Sequence, residues 1–186
     1  MVSGCATSDA GAAQGRMPQR TEALQRLDRL STQEFRAHTV IASDPDTVHR
    51  LLRDTEEVQW LAAHPGQSVP EILERIRRGY KPSDPVEMIA YYEELLPYFV
   101  VLEQAGDPRA VPVLLEYVEQ LPHSERRGIG SPWHPFLYAM LALDKLCDLG
   151  LRQPGDLYLP RATELFLRRH EIADQVRQKL EQRAGP

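Results

Sequence analysis

Hydrophobic positions along this chain recur at the spacing of amphipathic helices. The clearest case is segment 108–121, where the apolar residues occupy positions i, i+1, i+4, i+5 and i+8 and form one stripe on a helix. Helix starts are marked by an Asp or Ser followed by Pro at 44–45, 84–85, 107–108 and 131–132. Glycines at 66, 79, 106 and 150 are typical helix ends. The pattern therefore predicts an all-α protein.

These signals together define the expected order of helices. They predict helices at 19–39, 45–63, 68–79, 85–105, 108–121, 132–149 and 159–182. Pro97 lies inside one of them and predicts a kink about one turn before it. Segment 35–42 contains residues that favour strands, so a β-strand is the alternative to a helix in that segment. Paired in order, the helices form three stacked antiparallel hairpins and a closing helix.

The chain also contains an internal repeat. Segment 69–74, Val-Pro-Glu-Ile-Leu-Glu, recurs as Val-Pro-Val-Leu-Leu-Glu at 111–116, and Leu-Glu-Gln-Ala-Gly at 102–106 is echoed by Leu-Cys-Asp-Leu-Gly at 146–150. The offset is roughly 42 to 44 residues, which is typical of two-helix solenoid repeats. Such repeats bury their apolar faces by stacking and present an extended surface, so the repeat favours a binding role over catalysis.

Segment 106–115, Gly-Asp-Pro-Arg-Ala-Val-Pro-Val-Leu-Leu, resembles the first helix of a bacterial HEAT-like repeat. The resemblance is weaker at 68–78 and faint at 159–167. It implies an α-solenoid that serves as a protein-binding scaffold. The long loop at 122–131 departs from a regular repeat, so a compact irregular helical bundle is the alternative architecture.

Composition narrows the class of partner. The chain has 186 residues, 42% hydrophobic and 26% charged, and its net charge of −5 is typical of an ordinary globular protein. It lacks the basic stripe of a nucleic-acid-binding protein, so no nucleic-acid partner is expected. It also lacks an apolar run of about 18 residues that could span a bilayer. Of the two cysteines, Cys147 lies in an apolar helical run and is predicted to be a small buried hydrophobe.

The amino-terminal residues Val-Ser-Gly-Cys at 2–5 resemble a bacterial lipobox. The small polar residues that follow predict a disordered tether at 1–18, ahead of a helical domain at 19–186. The resemblance implies lipidation of Cys5, location in the bacterial cell envelope and membrane contact through the lipid anchor only. A lipoprotein signal also needs charged and apolar stretches before the cysteine. Only Met1 precedes this motif, so a cytoplasmic protein with an incidental cysteine is the alternative.

No catalytic motif stands out in the sequence. It contains no His-Glu-x-x-His zinc motif, no phosphate-binding glycine loop and no nucleophile elbow, so neither an enzyme nor a metal or other cofactor is predicted. The best cluster for recognition surrounds the long loop, because Trp, Tyr and Arg are enriched at interface hot spots. The predicted protein-binding residues are His123, Arg126, Arg127, Trp133, His134 and Tyr138.

Three functions follow from these observations. The leading hypothesis is a non-enzymatic interaction or scaffold module, lipid-anchored in the envelope, whose protein partner is unidentified. The second is a small helical enzyme or ligand-binding protein with a pocket between helices 85–105 and 132–149. Its acid and base candidates are Tyr92, Glu93, His134 and Asp144. The third is a cytoplasmic regulatory HEAT-like domain.

Overall fold

The predicted all-α class is confirmed by the structure. The computed structural model describes residues 20–30, 45–79, 95–120, 133–151 and 159–184, and within these ranges it contains nine α-helices and no strand. A short 3₁₀ helix at Pro108–Ala110 leads into the sixth of them. The helices are α1 (Arg20–Arg29), α2 (Pro45–Arg53), α3 (Glu56–Ala63), α4 (Pro65–Gly79), α5 (Leu96–Ala105), α6 (Val111–Gln120), α7 (Trp133–Cys147), α8 (Leu159–Leu167) and α9 (Arg169–Ala184).

The helices pack in chain order. Helix α1 contacts α3, α4 contacts α5 and α6 contacts α7. Each of these pairs also contacts the next one, through α1 with α4, α3 with α5, α4 with α6 and α5 with α7. Helices α8 and α9 then pack on α7, and α9 also contacts α6. Helix α2 belongs to none of these pairs and packs on α5 and α3.

Helix α5 lies at the centre of the core. Its residues are apolar nearly all round, and every residue from Leu96 to Glu103 is buried. It packs against α2, α3, α4 and α7, as expected of a helix without a polar face. Pro97 lies in the first turn of α5, where its missing N–H interrupts no helical hydrogen bond. The part of the predicted helix before residue 95, where the kink was expected, lies outside the described residues.

Two predicted helices are divided in the structure. The single helix predicted at 45–63 is wrong, because Asp54 and Thr55 separate the end of α2 from the start of α3. The Thr55 hydroxyl donates to the Leu52 carbonyl at 2.8 Å and accepts the Val58 N–H at 3.4 Å, so the side chain replaces helical bonds and caps α3. The prediction for 159–182 is interrupted only at Arg168, across which backbone hydrogen bonds continue.

The predicted helix ends at glycines are partly correct. Gly106 ends α5 with a φ of 65°, in the left-handed region where glycine is favoured. After α7, which ends at Cys147, the first left-handed residue is Asp148 with a φ of 54°, and Gly150 with a φ of 69° lies two residues further on.

The prediction at Gly66 is wrong, because α3 ends at Ala63 and Gly66 lies in the first turn of α4. His64 separates the two helices, and its backbone N–H closes the last turn of α3 on the Leu61 carbonyl.

Replacing each of two glycines by alanine is expected to change stability in opposite directions. A Cβ at Gly66 or Gly106 would meet no atom within 4 Å, so only backbone conformation differs between the sites. Gly106→Ala forces a side chain into the left-handed region and should cost about 1–2 kcal/mol. Gly66→Ala adds a helix former to α4 and should stabilise by up to about 1 kcal/mol.

The measurement is the free energy of unfolding in urea for the whole chain and both variants. Gly66→Ala serves as the matched control for the added methyl group. Equal stabilities for the two variants would contradict the assignment of Gly106 as a left-handed helix cap.

Candidate functional site

The predicted docking patch is only partly described by the structure. His123, Arg126 and Arg127 lie outside the described residues, as does Cys5. Trp133 and His134 begin α7, and only their backbone is described. The sixth residue of the predicted patch, Tyr138, is placed differently from the expectation.

Tyr138 lies in the core instead of on a docking surface. Its side chain is 1% exposed, and its ring packs edge-on against the ring of His49 with centroids 5.2 Å apart. Helix α7 is covered by α5, α6 and α8, which leaves little of its surface for solvent. The prediction that Tyr138 contacts a partner is therefore corrected: in this conformation its ring is inaccessible.

The alternative catalytic pocket is not assembled by the described residues. Asp144 is buried, but its carboxylate accepts the backbone N–H of Leu151 at 2.8 Å and so holds the chain that leaves α7. Tyr92 and Glu93 lie outside the described residues, and nothing is described of the His134 side chain. Asp144 has a structural role, and the structure gives no support for it as an acid or base.

The main buried polar feature is a pair between α2 and α5. His49 Nε2 lies 2.5 Å from Glu103 Oε2, and the two residues are 8% and 1% exposed. Because buried polar groups must be hydrogen-bonded, this contact fixes which turn of α2 faces which turn of α5. The Tyr138 ring covers the imidazole from α7. Three helices therefore meet at this pair.

Sequence reasoning missed this pair for a local reason. The sequence around His49 contains no catalytic or metal-binding motif that would single this residue out. The apolar neighbours Val48 and Leu52 are both buried and put His49 on the covered face of α2. That amphipathic spacing was the available signal. The partner, Glu103, is 54 residues away, which no local pattern indicates.

A cleft opens beside this pair, where α2 ends near α3 and α5. Its volume is about 440 Å³ and it is open to solvent. The side chains around it are mainly polar, with two small alanines among them. This α2–α3–α5 cleft is lined by Arg53, Asp54, Gln59, Ala62, Ala63 and Gln104.

Two ionisable groups show the electrostatic effect of their surroundings. Burial raises the pKa of the Cys147 thiol, and the side chain is fully buried, which confirms its prediction as a small hydrophobe. The Arg109 guanidinium, hydrogen-bonded to Asp107, lowers the pKa of that carboxyl. Arg109 also donates to the Pro65 carbonyl at 3.2 Å and so links the 3₁₀ helix to α4.

Two further findings concern metals and membranes. Within the ranges that the structure describes, no group of three or more His, Cys, Asp or Glu residues is arranged to hold a metal ion. None of the helices described is both long and apolar enough to cross a bilayer.

Removing one member of the buried pair is expected to cost more stability than removing both. His49→Leu takes a hydrogen-bonding partner from a buried carboxyl group, which should cost about 1–3 kcal/mol. Glu103→Leu should be similarly costly because the imidazole stays behind. The double variant buries two apolar side chains and should recover a large part of the loss.

Urea unfolding of the whole chain and the three variants gives the coupling free energy as a double-mutant cycle. A positive coupling above about 1 kcal/mol is expected for side chains in direct contact. Additive losses would mean that the two side chains do not interact.

Comparisons with known proteins give no family assignment. No protein-family model matches the chain, and no curated protein or solved structure is significantly similar to it. The function must therefore be argued from the chain's own residues and geometry.

Proposed function

We propose that this protein is a non-enzymatic interaction module made of stacked helical hairpins, held in the bacterial cell envelope by a lipid on Cys5. The observation that carries the proposal is the order of the helix contacts. Helix pairs contact the next pair along the chain, through α1 with α4 and α3 with α5 first, then α4 with α6 and α5 with α7. This order agrees with the repeat offset in the sequence and supports a HEAT-like arrangement.

A stack of helix pairs is physically well suited to binding other proteins. Each added pair lengthens the exposed surface while its apolar face is buried against the preceding pair. Helix α6 follows this scheme, because its apolar residues are buried while Pro112, Glu116 and Gln120 are exposed. Long rigid surfaces of this type suit recognition of another protein.

The last described helix has the charge distribution of a stack's outer element. Ile172, Ala173 and Val176 are buried on one side of α9, and charged residues occupy its exposed faces. Arg177 Nη2 contacts both carboxylate oxygens of Glu119 at 2.6 Å, which joins α9 to α6. A polar outer face is what keeps the end of such a stack soluble.

The lipid anchor is tested by labelling in the native host. With the gene expressed together with its upstream region, radioactive or clickable palmitate should label the protein, and Cys5→Ala should abolish the label. Cys147→Ala is the matched control, because Cys147 is buried and should not affect lipidation. A wild-type protein that remains unlabelled and fractionates away from membranes would favour the cytoplasmic alternative.

The docking patch is tested by partner capture. After crosslinking in the native host, Trp133→Ala and Arg127→Glu should each reduce recovery of a specific partner, about 30-fold in affinity if they are hot spots. Arg78→Glu is the matched charge reversal, since Arg78 is exposed on α4 and pairs with the neighbouring Glu74. Full recovery of every partner with both patch variants would contradict the site assignment.

A further inference from the structure

We propose that α2 is a removable strap, and that the seat it covers on α3 and α5 binds an amphipathic helix of a partner protein with the same pattern as α2. This inference rests on the proposed interaction function and names the kind of partner segment that one surface accepts. Three observations carry it. Helix α2 lies outside the pairs of the stack, a helix break gives it a hinge, and its own side chains define what the seat accepts.

Helix α2 is an addition to the stack of helix pairs. The pairs α1–α3, α4–α5 and α6–α7 contact one another in order, and α2 belongs to none of them. It packs on α3 and α5, which also contact each other directly. Movement of α2 away from this seat would therefore leave the contacts between the pairs in place.

The attachment of α2 rests on few side chains. Val48 and Leu52 are buried on its inner side, and His49 is bonded to Glu103. A buried polar pair adds little net stability, because desolvation offsets much of the attraction. Helix α1, which is one residue longer, has ion pairs to both α3 and α4 in addition to its buried apolar side. Local opening starts at elements with few buried contacts, and α2 is such an element.

The break between α2 and α3 provides a hinge. Asp54 and Thr55 separate the two helices. The Thr55 hydroxyl caps α3 by accepting the Val58 N–H at 3.4 Å, so the first turn of α3 does not need α2 to continue it. Helix α2 can therefore move as a unit about these two residues while α3 stays on α5.

The inner side of α2 shows what the seat accepts. Val48 and Leu52 fill apolar space one helical turn apart, and His49 Nε2 lies 2.5 Å from Oε2 of Glu103. The ring of Tyr138 meets the imidazole with centroids 5.2 Å apart. Without α2, an apolar surface with one carboxyl group would remain. A helix restores these contacts when it has apolar residues at i and i+4 and a histidine at i+1.

The strap and a partner helix exclude each other from the seat. A segment attached to the same chain competes at an effective concentration in the millimolar range. The affinity of the intact chain for a partner helix is therefore reduced by the fraction of molecules whose strap is closed. This competition makes α2 an autoinhibitory element, and any change that loosens it should raise the affinity for the partner.

The test measures binding of a fluorescein-labelled peptide with the sequence of residues 45–55, Pro-Asp-Thr-Val-His-Arg-Leu-Leu-Arg-Asp-Thr, to the full chain by anisotropy. The double variant Val48→Ala/Leu52→Ala loosens the strap and should bind the peptide at least about tenfold more tightly than the unchanged chain. A peptide carrying His49→Asp should bind about tenfold more weakly, because its carboxylate would face that of Glu103.

A matched double variant lies on the outer side of the same helix. Arg50 and Arg53 are exposed, so Arg50→Ala/Arg53→Ala should leave the peptide affinity of the unchanged chain as it is. Equal affinity of the unchanged chain and the loosened variant, equal binding of the two peptides, or no binding at all would overturn the proposal. A loosened variant that dimerises with rising concentration would identify a second copy as the occupant, which would also overturn it.

Hydrogen exchange of the unchanged chain decides the matter if the loosened variant does not fold. Backbone amides of α2 should exchange at least about tenfold faster than those of α3 and α5, because the strap opens without them. Exchange of the three helices at one common rate would mean that α2 leaves its seat only when the whole core unfolds, and no strap would exist.

Failure here is distinguishable from failure of the proposed function. If the peptide does not bind but Trp133→Ala and Arg127→Glu release a crosslinked partner, the interaction function stands and its contact lies elsewhere. If neither surface binds anything, the interaction function fails as well.

Discussion

The burial of α5 on all sides is the constraint on which the rest of this structure depends. A helix that is apolar nearly all round must be covered, and α2, α3, α4 and α7 supply the cover. Two polar groups are carried into this environment, and each needs a hydrogen-bond partner. The Tyr98 hydroxyl donates to Asp28 on α1 at 2.5 Å, and Glu103 meets His49 on α2. The two polar side chains of this otherwise apolar helix, Tyr98 and Glu103, therefore help to determine that α1 and α2 pack next to it.

These contacts extend into a network at the other side of the core. Arg75 on α4 donates to Asp28 on α1 and to Glu71 on its own helix, so α1, α4 and α5 share one set of hydrogen bonds. Hydrogen bonding to Arg75 and to Arg20 lowers the pKa of the Glu71 carboxyl. Such partly buried networks contribute geometry more than net stability, because desolvation offsets much of the attraction. Their effect is to give each of these helices one favoured position against its neighbours.

Local signals made much of the fold predictable, and distant contacts explain what was missed. Asp107 caps the 3₁₀ helix and Gly106 ends α5 with a positive φ, both readable from adjacent residues. Thr55 is different, because its hydroxyl bonds on both sides and breaks a run that looks continuous by spacing. The burial of Tyr138 could not be predicted from the sequence, because an aromatic residue near arginines is as compatible with an interface as with the core. Its burial depends on which helices cover α7.

The distribution of satisfied and unsatisfied polar groups bears on function. His49, Ser68, Glu103 and Asp144 are buried in the described part, and each has a hydrogen-bond partner within the protein. Groups committed in this way hold helices and chain turns in place. Gln59 and Gln104 lie instead at an open cleft with their amides unpaired in the described ranges. The polar side chains of the described interior therefore serve to fix helix positions, whereas those of the cleft face solvent.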